Sequence, residues 1–334
     1  MKFVLAVLLV AATSPAFATD APFDSTAALA RARELRPYIS SGTPGPLWTS
    51  FGEQMRTAMG DSLKFAGVVA SIHGQLGAIS AVVDEKVSRQ MGWMYRARCR
   101  FERAPVPLML TIGFDNDGLV NSMLVQPDKQ PFASTKLDYS TKTQLALPFK
   151  GDWFVFWGGR DIDNNYHVVS KSQRFAYDLV VMKGGTSHTG SGTVLSDYYC
   201  YGAEVLAPAA GTVVWSCDSL PDQVPGQMDP ANPVGNGVVI DHGNGEFSLL
   251  AHMQTKSLRV KTGDTVKASQ VIGLVGNSGS SFEPHLHFEV TTSPEAMRGE
   301  GVPYVIDEFT LISGDTRAPR FRELPIAGSL IEFR

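Results

Sequence analysis

The sequence predicts two domains of different class: an N-terminal α+β domain, with helices packed on a curved antiparallel sheet, and a C-terminal all-β domain. Three observations predict this. From about Phe23 to Gly77 the residue pattern is helical, with N-cap signals at Asp24-Ser25-Thr26, Thr49-Ser50 and Asp61-Ser62, and three helices is the simplest count. From Ile79 to Val125 the pattern switches to period-two alternation, broken by turn signals at Glu102 to Pro107 and at Asp115-Asn116-Asp117-Gly118. Beyond residue 150 the chain is almost wholly short apolar runs and turns.

The first residues read as a secretory signal, residues 1–18. Lys2 precedes the apolar run Phe3 to Ala12, and Ala16-Phe17-Ala18 has the small residues at alternate positions that signal peptidase accepts. That run is too short for an ordinary membrane anchor, and no later stretch supplies a transmembrane segment. The mature protein is therefore expected to be exported, to the periplasm or outside the cell. Of 334 residues about 315 then remain, enough for two cores. A formal net charge of −4 argues against a nucleic-acid partner, which calls for a concentrated basic footprint.

The expected accessory α+β domain covers residues 23–128. Residues 129–150, rich in Pro, Lys, Ser and Thr, suit a linker or a strap across the surface. The β domain covers 151–310, with extended segments at Trp153 to Trp157, Phe175 to Met182, Gly211 to Ser216, Gly237 to Asp241, Glu246 to His252, Val271 to Val275 and His285 to Val290. Residues 311–334 are expected to be a C-terminal tail. Of the three cysteines, Cys99 alternates with Trp93, Tyr95 and Phe101 and belongs to a buried face. Cys200 and Cys217 flank one compact segment, so a disulfide between them and two free thiols are both open readings.

Histidine placement is the sharpest clue. Of seven histidines only His73 lies in the first domain; His167, His188, His242, His252, His285 and His287 lie in the second. Imidazole is the commonest metal ligand and the usual base near neutral pH. In Pro284-His285-Leu286-His287-Phe288-Glu289 two imidazoles stand at i and i+2 of a strand, on one face, where both can converge on one centre.

This hexapeptide and the Gly276-Asn277-Ser278-Gly279-Ser280-Ser281 approach to it resemble the lysostaphin/LytM-type zinc endopeptidases. The resemblance extends, in order, through Gly202 to Val214, Val238 to Gly245, Ala251-His252-Met253 and Val260 to Val266, and covers roughly residues 150 to 310. It implies an all-β metallopeptidase domain, a Zn2+ cofactor, and peptidoglycan stem peptides or cross-bridges as partners. Carried over by position, it makes His287 and Asp178 metal ligands, with His285 and His252 orienting and deprotonating the attacking water and stabilising the oxyanion. It also admits an opposing class: a degenerate wall-binding protein, or one that activates a partner hydrolase of the envelope.

One departure bears on that choice. The family's first histidine stands four residues before the aspartate, where this chain has Arg174, which holds its proton and offers no lone pair to a metal. His167 is the expected replacement ligand. If Ser170 to Gln173 form a hairpin loop, Val169 pairs with Arg174 and His167 shares a face with Asp178; a slip of one residue leaves a merely structural histidine.

Other candidates read as structural. His242 ends a strand, His188 lies in a loop, His73 caps or lies at the surface, and Asp115 to Gly118 form a hairpin turn. Arg96, Arg98 and Arg100 form a basic stripe opposite the apolar face. A nucleophile elbow and a dinucleotide fingerprint are both missing. The first domain resembles the nuclear-transport-factor-two-like fold in layout alone, without a specific motif, and function does not follow from layout.

Overall fold

The computed structural model describes residues 23–89 and 92–333, so the expected signal peptide lies outside the described residues. The chain divides at Lys129/Gln130 into two compact units. Among the described residues no helix is long and apolar enough to cross a membrane.

The first unit opens with helices α1 (Ser25–Ile39), α2 (Leu47–Ser50), α3 (Glu53–Met59) and α4 (Ser62–Leu76). Asp24 and Asp61 cap α1 and α4, each accepting a 2.8 Å hydrogen bond from the backbone N–H three residues on. Thr49-Ser50 is not a cap. Both residues lie inside the one-turn α2, and Gly52 precedes α3 without a side-chain cap. Four antiparallel strands follow in sequence order: β1 (Ile79–Arg89), β2 (Trp93–Phe101), β3 (Leu108–Phe114) and β4 (Val120–Pro127). The alternation in β2 sends Tyr95, Ala97, Cys99 and Phe101 inward against Ala28, Ala32, Leu35 and Ile39 of α1. Each fully buried Leu or Ile there contributes about 1.5–3 kcal/mol.

The second unit consists of β5 (Gly151–Trp157), β6 (Tyr177–Val180), β7 (Glu204–Leu206), β8 (Gly211–Cys217), β9 (Asn236–Asp241), β10 (Phe247–Met253), β11 (Thr265–Val266), β12 (Val271–Leu274), β13 (Leu286–Thr291), β14 (Ile306–Ser313), β15 (Thr316–Glu323) and β16 (Leu330–Phe333). Ten of these form one sheet in the order β11-β8-β9-β10-β13-β6-β5-β16-β14-β15, and β12 pairs with β7. The central strands β10, β13 and β6 are covered on both faces. All six residues of β13 and all four of β6 are buried.

Two expectations are overturned, and the open reading of the cysteines is decided. Residues 311–334 are not a loose tail, because most of them lie in β14, β15 and β16, which continue the sheet beyond β5. Residues 129–150 are not a free linker. Leu145, Leu147 and Phe149 are fully or almost fully buried in the core of the second unit, alternating as a strand's inner face would. Glu246, 1% exposed, holds this strap by accepting from Tyr139 Oη and Lys142 N at 2.8 Å and Thr143 N at 2.9 Å. Finally, all three cysteines are free: the Cys200 thiol donates to Pro284 O at 3.1 Å, and Cys217 faces Asn236 at 3.8 Å.

Candidate metal centre

Asp178 lies on β6, and the β6–β13 register sets His287 directly opposite it. The β10–β13 register sets Ala251 opposite His287, which brings the next residue, His252, to the same place. His252 has φ 60 at a break in the β9–β10 register, a conformation that costs a side-chain-bearing residue roughly 1 kcal/mol. Its ring stands 4.7 Å from His285 and 5.7 Å from His287, centroid to centroid.

His167 reaches this centre without pairing to β6. It is not on a strand; it lies in a short 3-10 turn, Tyr166–Val169, and β6 pairs with β13 and β5 instead of with the segment before it. From that turn its Nε2 stands 3.4 Å from Asp178 Oδ2. One donor atom each from His167, Asp178 and His287 lie within 4.8 Å of one another, all buried. Arg174 stays clear of these atoms. It is buried, with Nε donating to Phe132 O at 3.2 Å and Nη1 to Arg160 O at 2.8 Å.

The donor set fits a cation. Asp178 Oδ1 is 2.9 Å from His287 Nδ1 and 3.5 Å from His285 Nε2. The second nitrogen of each ring faces an acceptor: His167 Nδ1 faces Asn165 Oδ1 at 2.9 Å, His252 Nδ1 faces Ser278 O at 2.9 Å, His285 Nδ1 faces Glu283 O at 2.8 Å, and His287 Nε2 faces Glu289 Oε2 at 3.4 Å. A neutral imidazole carries one N–H, so rings that donate outward aim lone pairs inward at a buried carboxylate. Lone pairs facing a carboxylate in a site this dry repel, unless a proton or a metal ion sits between them.

The electrostatics follow. Burial pushes the His167 imidazole down to about 3, so it stays neutral. Burial, with His285 and His287 beside it, also holds His252 well below the usual range. Burial acts against charge at His287 too, but hydrogen bonds to Asp178 and Glu289 outweigh it and lift the ring to about 10. His285 is likewise raised, by Asp178, against burial. Burial would raise Asp178, yet the surrounding imidazoles hold its carboxyl well below the carboxylate range.

A cleft of about 290 Å³ opens over these groups, lined by Tyr166, His167, Met228, Val234, His252 and Met297 among others. Two residues beside the centre have no counterpart among the sequence candidates. Tyr166 places its hydroxyl 3.3 Å from Asp178 Oδ2, and Asn165 meets the back of His167. Asn165 caps the 3-10 turn that the structure shows at Tyr166–Val169, a role that reading this segment as a strand did not suggest. The structural histidines stand elsewhere: His242 is bonded to Ala210 O and Ser248 Oγ, His73 to Ser40 O, and His188 to Thr189 O.

Buried imidazoles gathered round one carboxylate, at the floor of a cleft in an all-β unit, form a donor set that could hold a metal ion. Residues 191–298 match the model of Peptidase family M23, so the second unit carries an M23 domain. The matched segment includes His252, His285 and His287 and begins after Asp178. Peptidoglycan DD-endopeptidase ShyC of Vibrio cholerae is 33% identical over 129 residues, 39% of this chain and 24% of ShyC. Murein hydrolase activator EnvC of Escherichia coli is 38% identical over 96 residues, 29% of this chain and 20% of EnvC. The chain thus spans about a quarter or less of the length of these curated relatives. Among solved structures, a mutant catalytic domain of the prophage-encoded M23 protein EnpA from Enterococcus faecalis is 22% identical, with a TM-score of 0.30, covering 47% of this chain and 93% of that one.

Proposed function

We propose that this protein is an exported zinc metalloendopeptidase that hydrolyses peptide cross-links of bacterial peptidoglycan. The observation that carries the reading is the buried set of His167, Asp178 and His287, one donor atom each within 4.8 Å, with His252 and His285 alongside. Similarity to ShyC, named a peptidoglycan DD-endopeptidase, supports the substrate class.

His167, Asp178 and His287 would hold the metal. Bound zinc supplies Lewis acidity and a water acidified to a pKa of about 7. His252 and His285 each have Nδ1 engaged by a carbonyl, which leaves Nε2 as the atom that exchanges protons. Nε2 of one takes a proton from the water attacking the scissile carbonyl, and a protonated Nε2 supplies the departing amine as the C–N bond breaks. The hydrogen bonds at Nδ1 keep both rings aimed.

A second reading, a degenerate wall-binding or hydrolase-activating protein, is favoured by Arg174 at the family's ligand position and by similarity to EnvC, named a murein hydrolase activator. Metal analysis of the purified mature protein and of His167→Ala, together with peptidoglycan digestion, separates the two. The peptidase reading expects near-stoichiometric zinc and released peptides, both lost in the variant. A zinc-free wild type that digests nothing would leave the activator reading.

A further inference from the structure

We infer that Asn165 is a positioning residue for the metal centre, fixing which nitrogen of His167 faces Asp178. The inference rests on the reading of His167 as a ligand. Asn165 is fully buried, and four contacts fix its carboxamide. Nδ2 donates to Gly159 O at 3.0 Å and to Ala176 O at 2.9 Å. Oδ1 accepts from the His167 backbone N–H at 3.1 Å and faces His167 Nδ1 at 2.9 Å. Flipping the amide would set its oxygen against two carbonyls and its NH2 against an N–H. The orientation is therefore determined by its surroundings.

A carboxamide oxygen accepts only, so the proton of a neutral His167 ring must sit on Nδ1. The Nε2 lone pair is then left free, 3.4 Å from Asp178 Oδ2. A turn cap explains the bond to the His167 N–H. It does not explain why the same oxygen also meets the ring. One atom thus fixes both the backbone and the tautomer of a ligand that comes from a turn instead of a strand, where the register of the sheet cannot aim it. Ala176 O, the acceptor at the other end of the amide, lies two residues before Asp178. The amide consequently ties the turn to the strand that bears the carboxylate.

Two variants of the full-length protein separate this role from capping. Asn165→Ser keeps a competent cap but cannot also reach the ring. Asn165→Asp keeps the accepting oxygen and loses both Nδ2 bonds. Zinc affinity would be measured by competition with a chromophoric chelator, and the His167 tautomer by 15N shifts of the imidazole in zinc-free protein. The expected result is a 10–100-fold loss of zinc affinity in Asn165→Ser, with a shift away from the Nδ1–H form. Asn165→Asp should bind more tightly than Asn165→Ser and keep the Nδ1–H tautomer. A merely structural role would make Asn165→Asp the worse of the two, since it loses two buried donors and adds a buried charge. Equal zinc affinity and an unchanged tautomer in Asn165→Ser overturn the inference. A wild type that binds no zinc refutes the ligand reading instead, and the tautomer measurement still decides what Asn165 does.

Discussion

Arg174 stands four residues before Asp178, the sequence position of the resembled family's first histidine, and its replacement by alanine tests what it does there. The side chain is 6% exposed, and its guanidinium lies 5.0 Å over the Phe175 ring. Nε donates to Phe132 O on the strap, and Nη1 to Arg160 O on the loop leading to the His167 turn. Phe132 N in turn donates to Val168 O, within that turn, at 2.7 Å. Each hydrogen bond from a charged donor is worth about 1.5–3 kcal/mol, and water recovers part of it at the abandoned carbonyls, so the net loss is about 3 kcal/mol. In a unit of roughly 200 residues each kcal/mol moves Tm by about 2–4 °C, which sets the expected drop at about 6–12 °C. Because the same bonds brace the turn, zinc affinity should fall about tenfold or more. Differential scanning calorimetry of the full chain and chelator competition measure the two effects. Arg174→Lys, with a single point donor, should fall between wild type and Arg174→Ala. An alanine variant that melts within about 2 °C of wild type and binds zinc as tightly would refute the bracing role.

Three further outcomes are expected. Glu246 has a carboxyl that burial would raise but that hydrogen bonds from Thr143, Lys142 and Tyr139 hold below its ordinary value of 4.5. Its contribution is therefore complete above that value and is lost as pH falls through the lower folded one. Glu246→Gln should flatten the acid limb of the stability–pH curve, and an unchanged limb would count against the strap being held this way. Gly235, at φ 66, packs against Ser278, whose carbonyl holds His252, so a methyl there collides with that backbone. Gly235→Ala should lower stability by about 1–3 kcal/mol and reduce turnover, and wild-type kinetics in that variant would contradict the packing account. Zinc at one hundred times its Kd adds about 2.7 kcal/mol, so stripping it with a chelator should lower Tm by about 5–11 °C. Overlapping melts with and without chelator would mean that no metal is held.

The linear chain made much of this legible. Period-two alternation marked the strands of the first unit, short apolar runs between turns marked most strands of the second, and the two caps at Asp24 and Asp61 marked helix starts, because these signals are local. Alternation was also present in Leu145, Leu147 and Phe149, but the surrounding Pro, Lys and Thr suggested a linker, and nothing local could reveal a core for these residues to enter. Residues 311–334 were misread for a related reason. Strands on the outer part of a sheet are half exposed and rich in charge, as Thr316–Glu323 is, and so lack the apolar run that marks a central strand.

By itself the sequence determined which residue types were present for the chemistry: the His285–His287 pair, His252, and a carboxylate at 178. Only the tertiary structure decided that His167, on a turn and not a strand, stands beside that carboxylate while Arg174 is turned away to two carbonyls. The physical reason is the range of the forces involved. Alternation and capping are set by neighbours a few residues apart, whereas the aim of an imidazole depends on a buried amide and a strand partner that meet it only once the sheet has closed.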